Sequence, residues 1–110
     1  MTIPLVVDGA DELARELGGW PSFHDAEVVD FHLRRASESI LALQLANPGR
    51  TMVEFVLGDV HGLELSEFNR QNVIARLDVE KDDGGVVIRL SPCYGMSGWI
   101  KAKSARVRTR

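Results

Sequence analysis

The stretch Trp20-Pro21-Ser22-Phe23-His24-Asp25-Ala26-Glu27 decides the fold of this chain, because the period of the apolar residues changes across it. Before it, apolar residues recur at helical spacing; after it, they alternate with polar residues as in a strand. The stretch also holds one of the two Trp residues and the chain's adjacent His-Asp pair. It therefore predicts a helix-to-strand corner that is also the first place to look for chemistry.

A short helix is predicted over residues 9–17, ahead of the corner. Asp8 is expected to cap its N-terminus, and Asp11 follows in the first turn, where the helix dipole favours acidic side chains. Gly18-Gly19 is expected to end the helix, since glycine accepts the left-handed C-terminal conformation. Its apolar residues share one face, which predicts that the helix packs on a sheet.

After the corner, alternating apolar residues predict six or seven short strands. The residues expected to face inward are Val29, Phe31 and Leu33; Leu41, Leu43 and Leu45; Val53, Phe55 and Leu57; Val73, Ala75, Leu77 and Val79; and Val86, Ile88 and Leu90. Two further strands are predicted over residues 60–65, with a bulge at Gly62, and over 99–107, with a slip in alternation near Lys103-Ser104.

Turn signals separate these strands. Turns are predicted at Asn47-Pro48-Gly49, Gly58-Asp59 and Asp82-Asp83-Gly84-Gly85, together with a loop over residues 91–98. Residues 66–72 are predicted to form a single helical turn or an ordered loop. The fold class is therefore α+β: a single antiparallel, largely meander sheet of six to seven strands with an N-terminal helix packed on one face. A small closed or strongly curled barrel is the alternative.

Composition bounds the function classes. The 110 residues, 45% hydrophobic and 26% charged, predict one globular domain over 1–110. The net charge of −3 does not demand a nucleic-acid or membrane partner. No apolar run approaches the roughly 18 residues of a membrane span, and no signal peptide is recognised, so the expected location is cytoplasmic. Whether the protein is a monomer or a homodimer is left open.

The His24-Asp25 pair is the first candidate site. Metal-dependent phosphohydrolases named for this doublet need further His and Asp ligands, and this chain adds only His32 and His61. Zinc requires three or four ligands on one side of a cavity, but strand alternation places Glu27 and His32 on opposite faces unless a bulge intervenes. No metal or cofactor is therefore expected, although a metal-binding protein or hydrolase using His24, Asp25 and Glu27 remains the alternative.

The preferred interpretation of the opening stretch is structural. Asp25 would accept backbone N–H bonds at the corner, and His24 would donate to a neighbouring carbonyl. Trp20 and Phe23 would fix the helix to the sheet. Glu27 completes the motif at the start of the first strand.

Two further candidates are interpreted as structural. Cys93 has no histidine paired with it by any motif, so we expect a partly buried cysteine without a catalytic role. The C-terminus is basic and could bind phosphate, but a charged edge strand is the preferred interpretation and nucleic acid is not the expected partner. The basic residues are Lys101, Lys103, Arg106, Arg108 and Arg110.

The sequence resembles the immunity protein 50 family, small bacterial proteins encoded with polymorphic toxins. Gly19-Trp20-Pro21-Ser22-Phe23-His24-Asp25-Ala26-Glu27-Val28 is similar to the signature opening of that family. The similarity continues through Gly58-Asp59-Val60, Gly62-Leu63, Phe68-Asn69, Gln71-Asn72-Val73-Ile74 and Tyr94-Gly95-Met96-Ser97-Gly98.

The resemblance implies an antitoxin that binds a cognate protein toxin and blocks its active site, with no catalysis of its own. A mildly acidic chain suits such a partner, because complementary charge speeds association and sets specificity. We expect the interface on the solvated sheet face and nearby loops. The residues predicted to bind the partner are Asp30, His32, Glu54, Arg76 and Asp78.

Overall fold

A computed structural model describes residues 3–46 and 49–110, so the first two residues of the predicted turn at Asn47-Pro48-Gly49 lie outside the described residues. The described residues form one helix followed by six strands. In chain order they are α1 (Ala10–Leu17), β1 (Ala26–His32), β2 (Ser39–Gln44), β3 (Met52–Ser66), β4 (Val73–Asp82), β5 (Gly85–Tyr94) and β6 (Ser97–Thr109).

The six strands close into an antiparallel barrel with the order β1-β2-β3-β6-β5-β4. The N-terminal helix and the antiparallel sheet were predicted correctly, but the open meander sheet was wrong and the closed barrel was the better alternative. β1–β2–β3 and β4–β5–β6 are each a meander, and β3 pairs with β6 over most of its length to join them. Closure removes the long free edges that an open sheet of this size would expose.

A short seam between β1 and β4 completes the barrel. Ala26 pairs with Ile74 and Glu27 pairs with Val73. Backbone hydrogen bonds extend the seam by one residue on each side, since Asp25 N–H donates to Ile74 O (2.8 Å) and Val28 N–H donates to Asn72 O (2.8 Å). Among the described strands, the rest of β1 pairs with β2 alone. The seam therefore leaves most of β1 as an open edge.

The helix begins differently from the prediction. Its N-cap is Gly9, with φ 84°, and no described side chain caps it. Asp8, the predicted cap, instead bridges to β6: its N–H donates to Ala105 O (3.0 Å) and its carbonyl accepts from Val107 N–H (2.8 Å). Both backbone polar groups of Asp8 are therefore hydrogen-bonded to β6. At the other end Gly18 takes the predicted left-handed conformation (φ 79°).

The core is continuous from the helix into the barrel. Ala10 and Leu13 of α1 are buried in the same cluster as the inward side chains of the strands, with Phe55 among the largest of them. The predicted inward sets on β2, on the first half of β3 and on β5 are confirmed. They are Leu41, Leu43 and Leu45; Val53, Phe55 and Leu57; and Val86, Ile88 and Leu90.

The predicted inward set on β1 is confirmed at Phe31 and wrong at Val29 and Leu33, because the strand contains a bulge between Val28 and Asp30. Val28 and Phe31 pack against the core, whereas Val29 is turned outward and 39% exposed. Leu33 lies beyond the end of β1 and is exposed. β4 shows the same effect: its register shifts around Ile74, which is fully buried in place of Val73 and Ala75.

Two segments that were predicted to separate strands belong mostly to strands. β3 continues through Gly58-Asp59, where a turn was predicted, because Gly58 pairs with Ser104 and Val60 pairs with Ala102 of β6. The register shift between Val60 and Gly62 confirms the predicted bulge. The predicted loop over residues 91–98 is instead mostly strand, since β5 extends to Tyr94 and β6 begins at Ser97.

Candidate functional site

The corner formed by residues 20–27 is held by its backbone. Ala26 N–H donates to Phe23 O (3.0 Å), and His24 N–H donates to the Ser22 hydroxyl (3.3 Å). Asp25 lies in the left-handed region with φ 66°, which turns the chain into the seam. Aspartate is one of the few side chains that tolerate this conformation.

Three aromatic rings join the corner to the barrel core. The ring centroids of Trp20 and Phe23 are 5.8 Å apart, and those of Phe23 and Phe55 are 5.9 Å apart. Trp20 also meets Phe55 edge-on, with centroids 6.5 Å apart. These distances and tilted geometries are those of favourable aromatic pairs. Trp20 and Phe23 therefore pack against Phe55 on the interior face of β3.

The polar side chains of the corner meet an unexpected third residue. Nδ1 of His24 lies 3.2 Å from Oδ2 of Asp25, and the Cys93 thiol donates to Oδ1 of Asp25 at 3.7 Å. The seam explains the meeting, because Ile74 accepts from Asp25 N–H and pairs with Pro92, the residue before Cys93. Partial desolvation and the adjacent Asp25 carboxylate both raise the pKa of Cys93.

Two sequence predictions at this corner need correction. Cys93 is exposed, not partly buried. No described backbone N–H donates to the Asp25 carboxylate, which accepts from the Cys93 thiol and lies 3.2 Å from Nδ1 of His24. The left-handed backbone of Asp25, not a side-chain cap, shapes the turn. Within the described residues, His24, Asp25 and Cys93 form a group whose potential metal-ligand atoms lie within 4.8 Å of one another.

Glu27 is not part of that group. It lies on β1 between the buried Ala26 and the inward Val28, opposite Gln44 and Val73, so its side chain faces outward. The bulge after Val28 restores the outward face at Asp30 and His32. Glu27 and His32 therefore share one face, contrary to simple alternation.

The outer face of the barrel carries a network of charged residues that joins β1, β3 and the C-terminal end of β6. Arg110 donates to Glu54 (Nε–Oε2 2.6 Å) and to Asp30 (Nη1–Oδ2 3.2 Å), and Arg108 donates to Glu54 (Nε–Oε1 3.0 Å). Nε2 of His32 is 3.5 Å from Oδ1 of Asp30. Three of the five predicted partner-binding residues are thus already linked: Arg110 joins Asp30 to Glu54, and His32 contacts Asp30.

Glu54 is covered by this network, although it was predicted to lie on an open face. Its exposed fraction is 5%. Burial by itself raises the pKa of Glu54, but the hydrogen bonds from Arg110 and Arg108 and their charges outweigh it, so the net pKa is lowered from 4.5. The same pairing occupies much of the basic C-terminus: Arg106 pairs with Glu38 (3.1 Å) and Lys101 with Asp82 (3.7 Å).

The remaining two predicted partner residues lie elsewhere. Nε of Arg76 and Oδ2 of Asp78 form a 2.7 Å ion pair on β4. This pair borders a cleft of about 310 Å³ between β4 and the corner, and both Trp20 and His24 line the same cleft. The five residues therefore form two separate groups, one on β1 and β3 and one on β4.

Sequence reasoning missed an apolar surface beside the open edge of β1. Phe68 is 82% exposed and lines a depression of about 370 Å³ together with Val29 and Asp30. The signal in the sequence was a single Phe in the polar stretch 66–72. Its position against β1 depends on barrel closure, which the sequence did not decide.

The loop that presents Phe68 is fixed by a buried side chain. Asn72 is 4% exposed, and its Oδ1 accepts from Asn69 N–H (3.0 Å) and Met96 N–H (2.9 Å). Its Nδ2 donates to Asn69 O (3.0 Å). A buried amide with its partners satisfied holds one geometry, so Phe68 is displayed by an ordered loop, one of the two structures predicted for residues 66–72.

Comparison with known proteins gives one match. The family model described as immunity protein 50 matches residues 9–109. Neither the curated proteins nor the solved structures gave a significant match. Within the described residues, no helix has the length and apolar content to cross a membrane.

Proposed function

Because the chain belongs to the immunity protein 50 family, we propose that it is an antitoxin that binds a cognate protein toxin and blocks it without catalysis. The net charge of −3 favours association with a basic toxin domain. The protein would act in the cytoplasm of the cell that makes the toxin, where the two chains would meet before the toxin does harm.

We further propose that the toxin docks on the β1 surface, defined here as Val29, Asp30, His32, Leu33 and Phe68. The observation that carries this proposal is the 82% exposure of Phe68 on a loop fixed by Asn72. A large aromatic held in place and left in water is the residue type that dominates binding energy, because burying it costs little conformational entropy. The exposed Val29 and Leu33 would widen the apolar contact.

The charged residues supply the rim of this surface. Asp30 and His32 lie on the same strand as Val29, and Glu54 positions Asp30 through Arg110. A polar rim around an apolar centre is the usual anatomy of a protein interface. Arg76 and Asp78 would contribute where a toxin is large enough to reach across the seam to β4.

The decisive experiment measures binding of Phe68→Ala to the toxin encoded beside the antitoxin, by isothermal titration calorimetry. We expect the Kd to rise at least about thirtyfold, the effect of a residue worth 2 kcal/mol or more. Leu5→Ala is the matched control, since Leu5 is also exposed (78%) and belongs to the N-terminal segment ahead of α1. It should leave the Kd unchanged.

Two outcomes would contradict the proposal at different levels. If no protein encoded beside the gene binds the purified antitoxin with at least micromolar affinity, the antitoxin function is wrong. If the toxin binds but Phe68→Ala binds as tightly as the wild type, the function stands and the β1 surface is wrong. Charge reversal at Asp30 and at Asp78 then distinguishes the two groups of charged residues.

A further inference from the structure

We propose that His24, Asp25 and Cys93 form a binding site for a divalent cation of the zinc class. The three residues come from the corner and from β5, which the seam brings together. This site is separate from the β1 surface and does not depend on the proposed antitoxin function.

The three side chains lie close to the spacing that tetrahedral coordination requires. Zinc binds His nitrogen and carboxylate oxygen at about 2.0 Å and thiolate sulfur at about 2.3 Å, so neighbouring ligand atoms on a tetrahedron are about 3.3–3.8 Å apart. Nδ1 of His24 lies 3.2 Å from Oδ2 of Asp25, and Sγ of Cys93 lies 3.7 Å from Oδ1 of the same carboxylate. One donor atom from each of the three residues lies within 4.8 Å of the other two. Small side-chain rotations would bring the three donors around one ion.

The donor set selects the class of cation. One imidazole nitrogen, one carboxylate oxygen and one sulfur suit zinc and similar borderline metals, whereas calcium and magnesium require oxygen ligands. Three protein ligands leave a fourth position for water or for a group from a bound partner.

The backbone holds the ligands where a cation can reach them. Asp25 is fixed by its N–H bond to Ile74 O, and Cys93 lies on β5 beside the same residue of β4. The side chains of His24 and Asp25 are 64% and 57% exposed, and Cys93 is also exposed. Entry of the ion therefore needs no opening of the barrel.

Binding has a defined proton balance. The Cys93 S–H bond breaks, its proton passes to solvent, and the sulfur forms a bond to the cation in place of a metal-bound water. The neutral His24 ring binds through a nitrogen lone pair. One proton should therefore be released from the thiol for each ion bound.

The test is zinc titration of the full chain, reduced and freed of metal with a chelator, in the absence of toxin. We expect one zinc per chain with micromolar affinity. Cys93→Ser and His24→Ala should each weaken binding roughly tenfold or more, since even an outer-shell partner contributes tenfold to a hundredfold. His61→Ala is the matched control, because His61 is exposed on β3, outside the group, and it should bind as the wild type does.

Cobalt provides a second readout that does not depend on affinity. A cobalt-loaded wild-type chain should show the near-ultraviolet charge-transfer band of a thiolate–cobalt bond, and Cys93→Ser should lack it. Unchanged thermal unfolding of the metal-free variants shows that they remain folded. The proposal is overturned by failure to bind zinc in the micromolar range, or by equal zinc affinity in the wild type and Cys93→Ser.

Discussion

Asp25 is a residue whose backbone matters more to the fold than its side chain does. Its φ of 66° is left-handed, and its carboxylate contacts His24 and Cys93. We expect Asp25→Ala to lower the free energy of unfolding by about 1–2 kcal/mol, the cost of a left-handed alanine. Asp25→Gly, which is free to adopt this conformation, should be within about 0.5 kcal/mol of the wild type. Urea unfolding of the metal-free protein measures both.

The pair of variants separates two causes. If Asp25→Gly loses as much stability as Asp25→Ala, the side-chain contacts and not the backbone conformation account for the loss. Asp25→Asn is a further control, because asparagine also tolerates the left-handed region but carries no charge.

Glu54 makes stability depend on acid pH. Its pKa is lowered in the folded protein from 4.5, so its ion pairs stabilise the fold fully above the unfolded value, and this contribution is lost as the pH falls through the folded value. We expect Glu54→Gln to lower the free energy of unfolding at pH 7 by about 1–2 kcal/mol, discounted from the value for a fully buried pair because both arginines are partly exposed.

The difference between the wild type and Glu54→Gln should narrow as the pH is lowered below 4.5, when measured by urea unfolding at a series of pH values. Glu80→Gln is the control, since Glu80 pairs with Arg89 and both are half exposed. Glu80→Gln should lower the free energy of unfolding by less than about 0.5 kcal/mol at any pH. If the difference in unfolding free energy between the wild type and Glu54→Gln does not change with pH, the lowered pKa of Glu54 does not contribute to stability.

At the scale of elements, the sequence predicted strands well where alternation is unbroken and poorly where a bulge lacks a marker. Gly62 marked the bulge in β3, and it was predicted. The bulges near Val29 and Ile74 lie among β-branched residues that carry no such signal. Each bulge reverses the faces beyond it, which is why Val29 was wrongly placed inside.

Gly98 sits where β6 must approach β3 closely. It pairs with Leu65, its φ is 139°, and a Cβ there would overlap the Glu64 carbonyl oxygen. We therefore expect Gly98→Ala to lower the free energy of unfolding by about 3 kcal/mol or more, since strain and overpacking add. Thermal or urea unfolding gives the measurement.

Gly84 provides the matched comparison, in the hairpin between β4 and β5. Its φ is 76°, but the space around a Cβ would be open. Gly84→Ala should lower the free energy of unfolding by about 1–2 kcal/mol, because alanine is strained in the left-handed conformation but meets no steric overlap there. Equal losses at the two glycines would mean that steric contact with β3 does not matter at Gly98.

At the scale of the whole molecule, barrel closure brings together residues whose proximity could not be predicted from the sequence. Cys93 is far from Asp25 in the sequence, and no local pattern links them; they meet because β1 pairs with β4 and β4 pairs with β5. Phe68 likewise reaches β1 only in the closed barrel. The corner motif was recognisable from local residues, whereas the contact between Asp25 and Cys93 and the apolar surface beside β1 follow from long-range pairing.

The short seam also predicts where the barrel opens. β3 residues 53–57 are paired on both sides, with β2 and with β6, whereas β1 residues 30–32 are paired with β2 alone among the described strands. Regions with fewer hydrogen bonds and less burial open at lower free energy than the core. We expect β1 amides that point away from β2 to exchange with solvent at least about tenfold faster than those of residues 53–57.

Hydrogen exchange followed by NMR measures this difference directly, and the toxin complex supplies the functional comparison. If the β1 surface is the docking site, toxin binding should slow exchange along β1 and in the Phe68 loop, while the amides of α1, on the N-terminal side of the corner, keep their rates. Equal exchange along β1 and β3 in the free protein would mean that the seam extends beyond Val28. Protection confined to α1 in the complex would place the toxin on the other side of the molecule.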